Sequence, residues 1–451
     1  MISNGLGGLG KIGLSEEAES YISLYRKIEP HRFAVIKISG ACLGDDSSLD
    51  AIAQDLSDLY GFGLIPTITY GWGKTLTSRL EAQGIESRFV DGNRYTDGRV
   101  MPHVEAIAVE MAEKLSKAID SRIGSRISSR RGKTAVIDYN SGVFIGEDKK
   151  DSGYGENNGD IVAVNTDKII EAINAGYIPI ISPIAVAEDR RKRFNINAAD
   201  SGACLAAKID PIKFLMLTGS RGVLNNNNKT IEEIVLSRDY DRLKKDDILS
   251  GGMLKNVDEA YLCLNARPNG DDRSVQIVNP GNIIHELFTR KGAGTYIRKG
   301  YEIERMPLVQ SDTQAVKQIM EKSFGDELVD DYFNRGRDEQ IYIEKNRKGA
   351  ATVAYVNGAA CLRVFAVLPE YQGNGLGKDL FAAVSSDNPK LFWRSQPHRK
   401  ATSFYIDVSD AHRKYTGEDG KLYYFYQKGL GWEEEKYAAD FMKRMPSNFK
   451  N

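Results

Sequence analysis

The stretch Val367-Leu368-Pro369-Glu370-Tyr371-Gln372-Gly373-Asn374-Gly375-Leu376-Gly377-Lys378 joins an apolar, strand-like run to a helix pattern over 379–384 through a turn holding three glycines. Glycines let backbone pass close to a ligand without Cβ clashes. The amides at a helix start have no intrahelical partner and carry the positive end of the helix dipole, so such a turn cradles an anion, and a diphosphate suits it best. A bland surface turn also favours Gly and Asn, so spacing alone does not choose between the two. Two cations elsewhere, Lys37 and Arg94, stand beside strand ends, where they could meet a further anion; solvated loop cations are the plain alternative.

The elements that must position these groups fall into two sets. From 31 to about 298, short β-branched runs (33–38, 64–69, 135–138, 178–181, 214–217 and 274–278) alternate with amphipathic stretches such as 166–175 and 198–209. That alternation implies a mainly parallel sheet with helices on both faces and ligands beyond the carboxyl ends of its strands. After a charged stretch at 299–305 the order changes to a helix pattern at 313–322, strand runs at 340–344 and 350–357, and the strand entering the glycine turn. We therefore expect two domains, 1–305 and 306–451, as a length of 451 residues also suits.

Composition narrows the partners. Lys plus Arg number 61 against 62 Asp plus Glu, so there is no basic footprint for nucleic acid or an anionic membrane, and small molecules are expected. No apolar run is long enough to cross a bilayer, and residues 1–14 are glycine-rich without the basic-then-apolar order of a signal peptide; a cytoplasmic enzyme is the expectation. Cys42, Cys204, Cys263 and Cys361 are scattered in apolar contexts with no Cys-x-x-Cys pair, which argues against a disulfide framework and a zinc site, and no other metal site is read. The tracts 225–228 (four Asn) and 190–193 (Arg and Lys) read as a turn and a solvated loop.

Specific motifs add a resemblance. Gln372, Gly375 and Gly377 resemble the Gln/Arg-x-x-Gly-x-Gly/Ala signature with which GNAT acetyltransferases hold the pyrophosphate of acetyl-CoA. The resemblance implies a donor site running from Val367 through Gly373, Asn374 and Leu376 to Lys378. Ahead of it, the segments at 32–40, 70–73, 91–96, 195–199, 217–222, 251–253 and 286–295 resemble, in order, those of the amino-acid-kinase family. Over nearly its full length the chain is similar to the bifunctional N-acetylglutamate synthase/kinase type: an α/β amino-acid-kinase fold followed by an α+β GNAT domain. The kinase resemblance implies ligand contacts at Lys37, Gly40, Gly71, Gly73, Arg94 and Asn195, with ATP and magnesium as co-substrates should that domain be active. It also implies an arginine-like effector site from Glu286, Gly292 and Gly294 with a helix at 16–27, for which loop packing is the competing reading. Homo-oligomers are usual among such proteins.

Departures from the family pattern shape the functional expectation. Ser39 replaces a glycine, Trp72 sits inside a glycine loop, Ala199 replaces an aspartate with Asp200 one place late, and Asn256 replaces a lysine with Lys255 one place early. One residue of slip on a helix turns a side chain by about 100°. Kinase activity is accordingly expected to be weakened or absent.

In the second domain, 388–395 resembles the Pro-x-Leu-Phe-Trp-Arg-Ser-Arg segment of the glutamate N-acetyltransferase branch, which implies an acceptor site at Arg394, Ser395 and Phe365. Tyr405 resembles a residue of the aromatic strand after that arginine. Tyr426 resembles the tyrosine of a helix end that protonates the CoA sulfur, although an aromatic run at helical spacing is also read as core. The lysine of the branch's acceptor pocket is Val364, and its second arginine is Gln396. Arg363 is expected to face away from that pocket, since neighbouring strand residues point to opposite sides. No residue stands out as the base. The function expected is acetyl-CoA-dependent N-acetylation of glutamate or an altered amino acid. Alternatives are a bifunctional enzyme with an active kinase, and a non-catalytic sensor of arginine or acetyl-CoA.

Overall fold

The computed structural model describes residues 16–90, 93–127, 132–149, 152–265, 273–289, 292–372, 375–397 and 401–450. The chain divides into two compact units, one up to Lys299 and one from Gly300. Arg305 lies inside the strand Ile303–Pro307, which pairs with Gln340–Glu344 in the second unit.

The first unit is built on an eight-stranded sheet in the order Glu233–Val235, Thr295–Arg298, Ser274–Val278, Lys213–Leu217, Ala34–Ile38, Thr67–Tyr70, Ile178–Ile181, Thr134–Ile137. Every neighbouring pair is parallel except Ser274–Val278 with Thr295–Arg298. The central strand Ala34–Ile38 is buried throughout, and its side chains alternate between two cores. Ile36 and Ile38 join the core under the helices Asp46–Gly61, Met101–Ile127 and Ile283–Phe288, whereas Val35 joins the one under Asp167–Asn174, Ala198–Ile209 and Gly251–Asn265. A strand covered on both sides needs an apolar residue at each position, and this is why its sequence reads as an unbroken run. Lys37 is the exception in the run, and it faces the second of these layers. The expected strand at 64–69 begins only at Thr67, after Pro66, which has no N–H to give a ladder.

A second, four-stranded sheet was not expected from the sequence. It runs Arg193–Asn195, Ile184–Val186, Phe144–Asp148, Gly159–Val164. Its strands are short and partly polar, so their period is weak.

The second unit holds a seven-stranded sheet in the order Ile303–Pro307, Gln340–Glu344, Gly349–Val356, Ala359–Val367, Leu391–Ser395, Leu422–Lys428, Ala411–Thr416. All pairs are antiparallel except Ala359–Val367 with Leu391–Ser395. That parallel pair lasts only from Ala360↔Leu391 to Leu362↔Trp393, after which both strands continue apart. On the other side, the register with Gly349–Val356 jumps from Val353↔Leu362 to Thr352↔Val364, leaving Arg363 as the extra residue of a bulge. The bend at the bulge coincides with the split.

Two sequence readings are corrected here. Tyr426 lies in the strand Leu422–Lys428, at the place where a helix end was expected, because alternate aromatics face two buried layers there. Tyr405 lies on the short helix Thr402–Val408 and not on a strand. No helix among the described residues is long and apolar enough to cross a membrane.

Candidate functional sites

In the second unit the split between the two parallel strands opens a cavity of about 860 Å³. Its walls include Val367, Gln372 and Gly377 from the donor-side prediction, Arg394, Ser395 and Phe365 from the acceptor side, and Tyr405, expected as a catalytic residue. Gly375 caps the helix Leu376–Asp387 with φ +87°, a conformation open to glycine at little cost, and Gly377 of the first turn lines the cavity. Lys378 is exposed on that turn. Gln372 Nε2 donates to Val367 O at 3.0 Å and ties the turn back to the strand. Gly373 and Asn374 lie outside the described residues. An open helix start with a left-handed glycine cap and an exposed lysine fits the diphosphate of a CoA thioester.

At the base of the split, Tyr426 is fully buried between Trp393 and Tyr405, with ring centroids 5.4 Å from each. It does not itself line the cavity. Its hydroxyl lies 3.1 Å from Ser395 Oγ, and Ser395 does line it. Burial raises the phenol's pKa, although bonds to Ser395 and Thr402 oppose the rise, so Tyr426 keeps its proton at neutral pH.

Arg394 is placed at the cavity but is committed elsewhere. Its Nη1 and Nη2 donate to Met442 O and Pro446 O at 2.8 and 3.2 Å, and its guanidinium lies 4.3 Å over the Tyr423 ring. It fastens the 445–449 segment, which supplies Met445, Ser447, Asn448 and Phe449 to the wall. Arg363 also reaches the cavity, contrary to the expectation that it faces away, since the bulge breaks the alternation on which that expectation rested. It pairs with the buried Glu339 at 3.3 Å and donates to Asn448 Oδ1 at 2.8 Å, while Asn448 Nδ2 returns a bond to Arg363 O. Burial pushes the Glu339 carboxyl up, with Arg363 pulling it back. The sequence reading passed over Glu339 and Asn448; nothing in their local spacing marks them, because they meet Arg363 only through the fold.

In the first unit a cavity of about 390 Å³ gathers Lys37, Gly40, Gly71, Gly73, Arg94 and Asn195, all six residues anticipated there. A Cβ on Gly40 would stand 2.8 Å from both Gly71 O and the Trp72 Cα, so the two loops touch backbone to backbone. Trp72 lines this cavity as well. The residue is buried in the first core, with its ring edge-on to Tyr70 at 5.9 Å. Arg94 donates to Gly73 O at 2.9 Å, Thr77 Oγ1 at 2.7 Å and Ser87 Oγ at 2.5 Å, which anchors the helix Gly73–Ala82. Asn195 Nδ2 bonds Thr96 Oγ1 at 2.9 Å, and Thr96 in turn bonds Arg94 O.

The two displaced residues are not lost to the site. Lys255 lines the cavity, and Asp200 interacts with Lys149, Lys37 and Lys255 while its burial raises its carboxyl pKa. Glu259, which the sequence reading missed, also lines the cavity, and Lys37 Nζ is bound to both of its oxygens at 2.8 and 2.9 Å.

The third predicted set also converges. Glu286 is buried, and its Oε2 accepts from Ala293 N at 2.7 Å and Gly294 N at 3.1 Å, with Gly292 in the same loop. The helix Glu16–Tyr25 packs here, with Tyr25 donating to Leu287 O at 2.9 Å. These bonds are those of a packed loop.

Comparison with known proteins gives a consistent picture. Residues 32–279 match the amino acid kinase family, and residues 302–446 match the N-acetyltransferase domain of N-acetylglutamate synthase. An acetylglutamate kinase of Xanthomonas campestris is 33% identical over 402 residues, 88% of this chain and 91% of that protein. The fold resembles N-acetylglutamate synthase from Neisseria gonorrhoeae, solved with coenzyme A and N-acetyl-glutamate (TM-score 0.67, 18% identity, 91% of this chain and 98% of that one). A second structure of that enzyme, with coenzyme A and L-arginine, gives TM-score 0.56 at 19% identity over 92% of this chain and 98% of that one.

Proposed function

We propose, for a chain that belongs to the amino acid kinase family and carries behind it an N-acetyltransferase domain of the N-acetylglutamate synthase type, that the second unit moves an acetyl group from acetyl-CoA to the α-amine of an amino acid. The observation that carries this reading is the Gly375-capped helix start lying beside a split sheet whose floor holds the Ser395–Tyr426 hydroxyl pair. Acetyl-CoA supplies the activated acetyl group as a thioester. The first turn at Leu376, Gly377 and Lys378 receives the diphosphate, and the cavity walls exclude water from the amine. As the amine nitrogen bonds the acetyl carbon and the C–S bond breaks, Ser395 gives a proton to the departing sulfur and takes one from Tyr426; the proton released by the amine returns through solvent and Ser395 to Tyr426, while Tyr405 packs against Tyr426 and fixes its ring.

The acceptor is an amino acid less acidic than glutamate. Val364 and Gln396 remove two cations from the pattern of the glutamate branch, and Arg363 and Arg394 both spend hydrogen bonds on internal partners. A carboxylate that loses a charge-assisted hydrogen bond binds roughly ten- to a hundred-fold more weakly. Free-thiol release across an amino-acid panel with acetyl-CoA, with and without ATP, tests the reading. Glutamate emerging as the best acceptor would overturn the acceptor assignment, and no thiol release with any amino acid would overturn acetyl transfer.

A second reading, ATP-dependent phosphorylation in the first unit, is favoured by the single cavity that collects Lys37, Lys255 and Arg94, and by the relative named acetylglutamate kinase. Turnover there is expected to be slow or undetectable in phosphate-release assays. L-Arginine is proposed as an effector at the Glu286 loop, where it would compete with the loop's own amides; its addition to the thiol assay checks this.

A further inference from the structure

The first-unit cavity has an internal carboxylate at the place where a phosphoryl ligand needs a cation. An ammonium has three N–H donors. Lys37 Nζ meets three acceptors within the protein: Glu259 Oε2 at 2.8 Å, Glu259 Oε1 at 2.9 Å and Asn256 Oδ1 at 3.2 Å. Both partners sit on the helix Gly251–Asn265, one turn apart, so a single face of it closes over the lysine. Lys37 and Glu259 are both buried, and each meets the cavity at its edge. Position 256 sharpens the point, because an amide stands there in place of the lysine that the family pattern carries: one cation is absent, and its replacement accepts a bond from the other.

We propose that Glu259 determines the ligand specificity of this cavity, by occupying Lys37 and so disfavouring phosphoryl anions. The inference rests on the second reading above, that the cavity takes a phosphoryl ligand. A phosphate that bound to Lys37 would have to displace a bidentate carboxylate and leave that carboxylate buried beside Asp258 and Asp200, which both act on Glu259 electrostatically. Buried charge without a partner is costly, so exchange of one anion for the other is opposed. Lys255 remains on the cavity wall, and its single charge does not offset both losses.

The test uses the full chain and Mg–ATP as the probe at about pH 8, where the Glu259 carboxyl is ionised, with affinity read by calorimetry for the wild type, Glu259→Gln, Glu259→Asp and Lys37→Met/Glu259→Gln. Glutamine keeps the shape and removes the competing charge, so Mg–ATP should bind about ten-fold more tightly or better, and the double variant should lose that gain. Glu259→Asp, whose shorter carboxylate loosens its hold on Lys37, should show a smaller gain, and it serves if the glutamine variant does not fold. Unchanged or weaker binding in folded Glu259→Gln, with binding measurable in the wild type, overturns this inference alone and makes Glu259 a positioning residue for Lys37. Absence of binding in every variant overturns the phosphoryl reading of the cavity, and the inference with it.

Discussion

Gly375 bears on function through one torsion angle. At φ +87° a side chain with a branched Cβ is strained by about 1–3 kcal/mol. Gly375→Val should therefore raise the dissociation constant for coenzyme A by about ten-fold or more while the fold survives, as calorimetry beside a circular-dichroism melt will check. Ser395 and Tyr426 are expected to behave as a unit. Ser395→Ala and Tyr426→Phe should each lower kcat for acetyl transfer by about a hundred-fold with little change in CoA affinity, and the double variant should be no worse than either single one. Near-additive losses in steady-state kinetics would separate their roles. Arg394 was legible as a residue of this site, but its task was not. The carbonyls it holds belong to Met442 and Pro446, about fifty residues away in sequence, and no local spacing announces them.

Among the elements, the strand Ala359–Val367 is the one whose irregularity makes the site. Its bulge at Arg363 ends the parallel pairing with Leu391–Ser395, and the gap becomes the cavity. The bulge also turns Arg363 toward Glu339, a buried carboxylate that has this guanidinium as its cation. Arg363→Ala should cost about 3–5 kcal/mol in urea unfolding, because the carboxylate is left buried and uncompensated. Arg363→Met with Glu339→Gln should recover most of that loss; no recovery would show that the arginine stabilises by packing alone. The sequence pattern of the strand was plain, yet the bulge was not, since it is decided by how Gly349–Val356 pairs alongside. The Leu422–Lys428 strand teaches a similar lesson: its aromatics suit a helix end as well as a strand buried on both faces, and only the neighbouring strands Leu391–Ser395 and Ala411–Thr416 select the latter.

For the whole molecule, stability carries the signature of carboxylates kept out of water. Burial raises Glu259 from 4.5 to about 7 against the pull of Lys37, with Asp200 and Asp258 adding to the rise. The folded chain thus holds this proton over a range in which the unfolded chain has released it. Its contribution is present in full below about pH 4.5 and is lost as pH rises through about 7. Compared with Glu259→Gln, the wild type should lose unfolding free energy between about pH 5 and pH 8, measured by urea titration at each pH; a constant difference would contradict the burial assignment. The two-part division, the parallel core of the layered sheet and a glycine turn opening a helix were legible in the sequence alone, because strand runs, helix periods and glycine turns depend on neighbours along the chain, whereas the four-stranded sheet and the strand Leu422–Lys428 were not. Whether a cation is available or already taken was decided by the tertiary structure alone. Lys37 with Glu259, Arg94 with Gly73, Arg363 with Glu339 and Arg394 with Pro446 are each settled by residues that meet only across the fold, where low dielectric makes a pairing at 3 Å outweigh any pattern in the local sequence.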